Sequence, residues 1–209
     1  MEKIPKPVVK RLAMYYRCLE RFKEEGKEVI SSKEMAQRLG IKACQIRKDL
    51  SYFGEFGKRG VGYNIDNLLE RLKEILGVEK AWKVIVIGAG NLGKAVAGHR
   101  LIRAQGFDIV ALFDIDRRKV GKKVQDVEIR HMDELEEFVK KEGVKIAIIC
   151  VPRESAQKAA DEAERAGVQG ILNFSPRVLK TSIPVENVDI AVALKSLTFQ
   201  IIRRKGRHG

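Results

Sequence analysis

Trp82-Lys-Val-Ile-Val-Ile87 runs straight into Gly88-Ala89-Gly90-Asn91-Leu92-Gly93, and the reading of this stretch decides the fold. An apolar strand pattern that meets G-x-G-x-x-G and then a helix is the first turn of a dinucleotide-binding unit. Gly88 permits the tight turn, Gly90 lets the backbone approach a pyrophosphate, and Gly93 allows the helix to pack on the sheet. Ala89, Asn91 and Leu92 complete the loop, whose free N–H groups at the helix start suit phosphate oxygens. The helix is expected from about Leu92 to Arg103. The fingerprint begins 88 residues into a chain of 209, so only 116 residues follow Gly93. That is enough for one nucleotide-binding unit and too little for a substrate domain as well.

Working forward, Phe107-Asp-Ile-Val-Ala-Leu-Phe113 predicts a second strand ending at Asp114, 21 residues after Gly93. A carboxylate there accepts hydrogen bonds from the adenosine ribose and repels a 2′-phosphate. NAD(H) is therefore favoured over its phosphorylated form, with Arg117 and Arg118 arguing the other way and a plain turn residue as the bland reading of Asp114. A short strand near Val127–Arg130 precedes a helix from Asp133 to Lys141. Val144 to Val151 is near-continuously apolar, as buried parallel strands are. A helix over Ser155–Ala166 and a strand over Gly170–Phe174 follow. Ligands of open α/β sheets lie beyond the strands' carboxyl ends, so Val151, Pro152, Asn173, Phe174, Ser175 and Pro176 are expected to frame the nicotinamide end. Val188–Leu194 reads as a last strand and Lys195 to about Arg204 as a final helix. That helix is apolar on more than one side, which suits burial against a second subunit or against its own sheet.

Working backward, residues 7–25 read as a helix, with Pro7 in its first turn and Val8, Leu12, Tyr15, Leu19 and Phe22 at helical spacing. Ser31-Ser32-Lys33-Glu34 is a capping box that starts a short second helix, ended by Gly40. Ile41-Lys-Ala then turns into a third helix reaching Phe53. Short helix, tight turn, helix is the helix-turn-helix arrangement. Ala43, Ile46, Leu50 and Phe53 share its buried stripe, while Gln45, Arg47, Lys48 and Tyr52 point elsewhere. Such long donors reach base edges or phosphates when a helix lies in the major groove; a solvated helix face is the alternative. Gly54 to Tyr63 places four glycines around Lys58-Arg59 and reads as a basic wing suited to the minor groove, or else as a Gly-rich linker. Asn64 to Leu76 predicts one more helix, and the domain boundary falls after Gly77. The block reads as a winged helix-turn-helix over 1–78, ahead of a Rossmann-like α/β domain over 79–209.

Composition supports this division of labour. The formal net charge of +13 favours an anionic partner. Residues 1–80 hold 18 Lys+Arg against 12 Asp+Glu, and 81–209 hold 23 against 16, so the excess is not confined to one half. The three cysteines, Cys18, Cys44 and Cys150, are far apart, form no CxxC pair and read as ordinary buried thiols. No metal site, signal peptide or transmembrane run is expected, which places the protein in the cytoplasm.

Six stretches in order resemble the Rex family of redox-sensing transcriptional repressors along essentially the whole chain. They are Gln45-Ile-Arg-Lys-Asp-Leu-Ser-Tyr-Phe-Gly54, Gly57-Lys-Arg-Gly-Val-Gly-Tyr63, Gly88–Gly93, Phe113-Asp-Ile-Asp116, Asn173–Pro176 and Val188-Asp189. The resemblance implies a homodimer on a pseudo-palindromic double-stranded operator, with a carboxy-terminal helix of about 195–204 exchanged between subunits. It implies that NADH releases DNA and that NAD+ permits binding by competing with NADH. The residues it assigns to DNA are Ser32, Gln45, Arg47, Lys48, Tyr52, Lys58 and Arg59. Arg17 and Asp189 match positions linking the DNA-binding domain to the nicotinamide region. Many family members have a tyrosine on the helix after the fingerprint; here the matching position is His99. A histidine there either titrates near neutral pH or is simply an exposed helix residue. A small NAD-dependent dehydrogenase with His99 and Asp189 as acid–base groups is the competing class, and the chain length leaves little for a substrate pocket.

Overall fold

The computed structural model describes residues 4–58 and 60–205, with side chains through Arg203. The chain divides between Lys80 and Ala81 into two units, each with its own core.

In the first unit, α1 (Lys6–Glu24) buries Val8, Leu12, Tyr15, Leu19 and Phe22, the stripe its 3–4 spacing dictates. β1 (Val29–Ile30) leads into α2 (Ser32–Leu39). Ser31 Oγ accepts from the Glu34 N–H at 3.2 Å while the Glu34 carboxylate accepts from the Ser31 N–H at 3.0 Å, closing the capping box. Hydrogen bonds from Lys27 and from Ser31 hold the Glu34 carboxyl down to about 2. Gly40 ends the helix in the left-handed conformation, and α3 (Ala43–Ser51) follows. β2 (Tyr63–Asn64) pairs antiparallel with β1, and α4 (Ile65–Leu76) is capped by Asn64, whose Oδ1 accepts from Asn67 N–H at 3.0 Å. Between α3 and β2 the chain reverses tightly, with Lys58 and Gly62 exchanging both backbone hydrogen bonds. Four helices, with a hairpin-like excursion between α3 and β2, make the winged helix-turn-helix.

The second unit is a seven-stranded sheet of order β5-β6-β4-β3-β7-β8-β9. Its elements are β3 (Trp82–Ile87), α5 (Asn91–Ala97), α6 (Arg100–Ala104), β4 (Phe107–Asp114), β5 (Lys123–Val124), β6 (Val127–His131), α7 (Leu135–Glu142), β7 (Ile146–Ile149), α8 (Arg153–Ala166), β8 (Gly170–Asn173), β9 (Val185–Asn187) and α9 (Ile190–Lys205). All pairings are parallel except β5 with β6. From β3 the chain moves one way to β4 and the other way to β7, which makes the carboxyl end of β3 a topological switch point. Apolar clusters cover both faces, one built with α7 and α8 and the other reaching Val96, Ala97 and Ile102.

Three expectations are corrected. The helix expected over 92–103 is two, because the backbone leaves the helix at His99 (φ −82°, ψ 99°). The strand expected over Val144–Val151 is limited to Ile146–Ile149, where pairing to both β3 and β8 exists. The third correction is the largest. Val188–Leu194 is not a strand, since β9 lies earlier, at Val185–Asn187, and α9 starts at Ile190 rather than Lys195. Asp189 causes the switch: its Oδ1 accepts from Val192 N–H at 3.0 Å and its carbonyl from Ala193 N–H at 3.2 Å, so it caps a helix. Ile190, Val192, Leu194, Leu197, Phe199, Ile201 and Ile202 are all exposed, so α9 does not pack on its own sheet.

Candidate nucleotide site and nucleic-acid interface

The fingerprint loop at the switch point is shaped by three glycines with different jobs. A Cβ on Gly93 would sit 1.9 Å from the Gly88 carbonyl oxygen, and one on Gly88 would sit 2.6 Å from the Cys150 carbonyl oxygen with φ at +104°. Those two positions admit no side chain. Gly90 is the opposite case, with nothing within 4 Å of where its Cβ would point. The open side of Gly90 is the cradle a pyrophosphate needs. No side chain caps α5, so its first N–H groups remain available to an anion. Ala89 and Gly93 are buried, while Asn91 and Leu92 are exposed at the loop's rim.

Asp114, at the carboxyl end of β4, holds this loop directly. Its Oδ2 accepts from Ala89 N–H at 2.8 Å and from Lys119 Nζ at 2.8 Å, and its Oδ1 accepts from Asp116 N–H at 2.8 Å. Burial works against the charge, but the bonds from Lys119, Asp116 and Ala89 outweigh it and keep the carboxyl below its usual range. A carboxylate offers about four acceptor positions, so one remains for a ribose hydroxyl. Arg117 and Arg118, which argued for a 2′-phosphate, pair instead with Asp133 and Asp116.

Across the switch point, Val151 is half-buried and Pro152 exposed after β7. Burial pushes the neighbouring Cys150 thiol up to about 11. Asn173 is wholly buried and spends its amide on the loop: it donates to the carbonyls of Ser175 and Arg177 and to Asn187 Oδ1, and accepts from Ser175 N–H. It therefore shapes the 174–176 segment from behind. Phe174 is half-buried, Pro176 is exposed, and Ser175 Oγ is buried with no hydrogen-bond partner. An orphaned hydroxyl costs free energy that a polar ligand would offset. The residues present thus fit a dinucleotide.

On the first unit, Arg47 and Lys48 of α3 are exposed, and Arg47 Nη1 donates to Ser32 Oγ at 2.9 Å, joining the start of α2 to α3. Lys58 is exposed at the tight reversal; Arg59 lies outside the described residues. Two expectations change. Tyr52 does not point away from the core but packs on it, half-buried. Cys44 is exposed on α3, whereas Cys18 is buried. The sequence reading missed Asp49 altogether. Its carboxylate is wholly buried and accepts from Arg11 Nε (2.5 Å) and Nη2 (2.8 Å), Tyr15 hydroxyl (2.6 Å) and Gln45 Nε2 (2.7 Å). Although burial opposes ionisation, these donors hold it below the usual carboxylate range. Its place beside Ile46 and Leu50 on the apolar stripe was the available signal, because a charge there demands partners.

The three candidate coupling residues sit apart in character. Arg17 is exposed on α1, lining a shallow groove with Arg21 and Arg38. His99 is exposed at the α5–α6 break, beside a cavity of about 540 Å³ that Phe107 and Gln125 also line. It is not a residue of a continuous helix. Asp189 is exposed and commits its carboxylate to the α9 cap. Among the described residues, no three or more His, Cys, Asp or Glu gather to hold a metal, and no helix is long and apolar enough to cross a membrane.

A winged helix-turn-helix with exposed cations, followed by a single nucleotide-binding unit, defines a DNA-binding regulator that carries a dinucleotide site. Comparison with known proteins gives the family. Residues 3–51 match the family model described as putative DNA-binding protein N-terminus, and residues 79–177 match that described as CoA binding domain. The redox-sensing transcriptional repressor Rex 1 of Thermotoga maritima is 56% identical over 204 residues, covering 97% of this chain and 98% of the relative. A crystal structure of RSP with β-NAD+ and operator DNA superposes at a TM-score of 0.91 and 37% identity, covering 98% of this chain and 95% of that one. RSP with β-NADH gives 0.87 and 35%, with 98% and 97% covered. The chain belongs to the Rex family of redox-sensing transcriptional repressors, whose curated members are named as repressors and not as enzymes.

Proposed function

We propose that this chain represses transcription by binding operator DNA through its first unit, and that NADH bound to its second unit releases the DNA. The observation that carries the reading is the pairing, in one chain, of an exposed cationic α3 with an uncapped, Gly90-opened loop tied to Asp114. Arg47, Lys48 and Gln45 face the major groove, with Ser32 anchoring Arg47; Lys58 and Arg59 reach the minor groove, and Tyr52 supports α3 from the core side. Gly88 to Gly93 hold the pyrophosphate, Asp114 the adenosine ribose, and Val151, Pro152 and Asn173 to Pro176 the nicotinamide end. Residues 1–78 are the DNA-binding domain and 79–209 the sensing and dimerisation domain.

The operator is read by a homodimer in the cytoplasm. Seven exposed apolar side chains on α9 favour this, because a second subunit is the economical way to cover them. Exchange of α9 between subunits is the form we favour. Arg17, His99 and Asp189 are the residues to which we assign the coupling of cofactor to DNA. Linkage then requires operator DNA to weaken NADH binding by the factor by which NADH weakens DNA binding. Selection of bound duplexes from a random pool, repeated with NADH, NAD+ and coenzyme A, tests the reading. Enrichment with NAD+ that NADH abolishes at fixed salt is the expected result. Equal enrichment under all three ligands would remove the sensing role.

A further inference from the structure

The buried carboxylate of Asp49 has a consequence for sequence reading that its structural role alone does not require. Asp49 lies one helical turn after Gln45, so the two side chains share a face of α3. Each of its oxygens accepts two hydrogen bonds: Oδ2 from Arg11 Nε and Tyr15 hydroxyl, Oδ1 from Arg11 Nη2 and Gln45 Nε2. An ionised carboxylate has about four acceptor positions and no donor, so all are filled. The Gln45 amide therefore has one orientation. Its NH2 end must face Asp49, because the flipped amide would set Oε1 against Oδ1. A free glutamine amide samples both orientations; this one does not.

We infer that Asp49 is a positioning residue for specificity: it holds Gln45 by one N–H and leaves the Oε1 and the other N–H as a fixed acceptor–donor edge. That edge complements the N6 donor and N7 acceptor of adenine in the major groove and mismatches the paired acceptors of guanine. Arg11 and Tyr15 of α1 hold the carboxylate in place, so a helix that presents no base-reading residue sets which base α3 prefers. The inference rests on the reading of α3 as the recognition helix.

The test begins with operators selected by the wild-type, full-length protein and by Gln45→Ala. One A·T position should lose its preference in Gln45→Ala. At that position Asp49→Asn, which replaces one acceptor end by a donor end and so no longer holds the amide in a single orientation, should lose discrimination between A·T and G·C by about fivefold to a hundredfold. The salt dependence of binding, which reports phosphate contacts, should stay unchanged. In a Gln45→Ala background Asp49→Asn should change discrimination no further. A second measurement needs no variant. In the free wild-type protein one of the two Gln45 side-chain N–H protons, the one given to Asp49, should be protected from solvent exchange relative to the other.

Unaltered A·T preference in folded Asp49→Asn, or an equal loss of affinity for every base, would overturn the inference. So would a Gln45 amide that exchanges freely, or a Gln45→Ala protein whose preferences match wild type. Failure of the wild-type protein to enrich any duplex would instead sink the repressor reading itself, and this inference with it.

Discussion

Asp49, inside α3, and Asp114, at the end of β4, are buried aspartates of the two units, and they are buried differently. Asp49 receives four hydrogen bonds, all from side chains, two of them from Arg11. Asp114 receives three, two from backbone N–H groups and one from Lys119. The first site is closed, with every acceptor position filled by the protein. The second keeps a position open beside a glycine loop that has room next to it. A saturated carboxylate organises its own domain, and an unsaturated one waits for a ligand.

Truncating each side chain should separate the two sites by the widest margin. Asp49→Ala leaves Arg11 and the Tyr15 hydroxyl without their acceptor, and removing one partner of a buried ion pair costs about 3 kcal/mol or more. Arg11 keeps a quarter of its side chain exposed, which argues for the low end. Asp114→Ala should cost less, about 1–2 kcal/mol, because Lys119 can turn to water and only the Ala89 N–H is left buried without its acceptor. Native-state hydrogen exchange of α1 and α3 amides, against those of β3 and β4, separates the two effects in the full-length protein. Equal losses would erase the distinction.

The second test concerns the open side of Gly90. Gly90→Ala adds a methyl group where nothing stands within 4 Å, so the unfolding transition should stay within about 0.5 kcal/mol. NADH affinity measured by calorimetry should nonetheless fall at least about tenfold, since the methyl occupies the approach to the pyrophosphate. Unchanged affinity would move the phosphates elsewhere.

Ser31→Ala, away from both carboxylates, should cost about 1 kcal/mol through the lost cap alone. It should lower operator affinity only as far as α2 frays. A larger loss of DNA binding than of stability would mean that the α2 start does more than support α3.

The smallest effect lies in acid. Both aspartates titrate below their ordinary value in the folded protein. Their contribution is complete above the unfolded value of about 4 and is lost as pH falls through the lower folded values. Asp49→Asn should flatten the acid limb for the first unit and leave that of the second unchanged, as exchange rates measured from pH 5 to pH 2.5 would reveal.

What was legible in the sequence was local. Ser31 with Glu34, Asn64 before α4, Gly40 after α2 and the fingerprint each carry their signal within a few residues. What was not legible depended on distant or competing partners. Asp49 finds Arg11 and Tyr15 across 38 and 34 residues, which periodicity alone does not pair. Ile190-Ala-Val-Ala-Leu194 alternates like a strand, yet it follows the Asp189 cap and opens a helix. Asn173 lay on the expected ligand loop, yet its amide is consumed within that loop.

One latch on the second unit shows a different economy. Gln125, at the turn between β5 and β6, has φ +55° and donates from Nε2 to the Gly98 carbonyl at 3.0 Å. Left-handed backbone costs a residue other than glycine about 1 kcal/mol, and one hydrogen bond returns about 1 kcal/mol. Glycine at 125 would relax the turn and drop the latch, and the two changes nearly cancel in stability. The residue is thus invisible to a melting curve. Its effect is on direction, because the carbonyl it grips is the last before the chain turns out of α5 at His99.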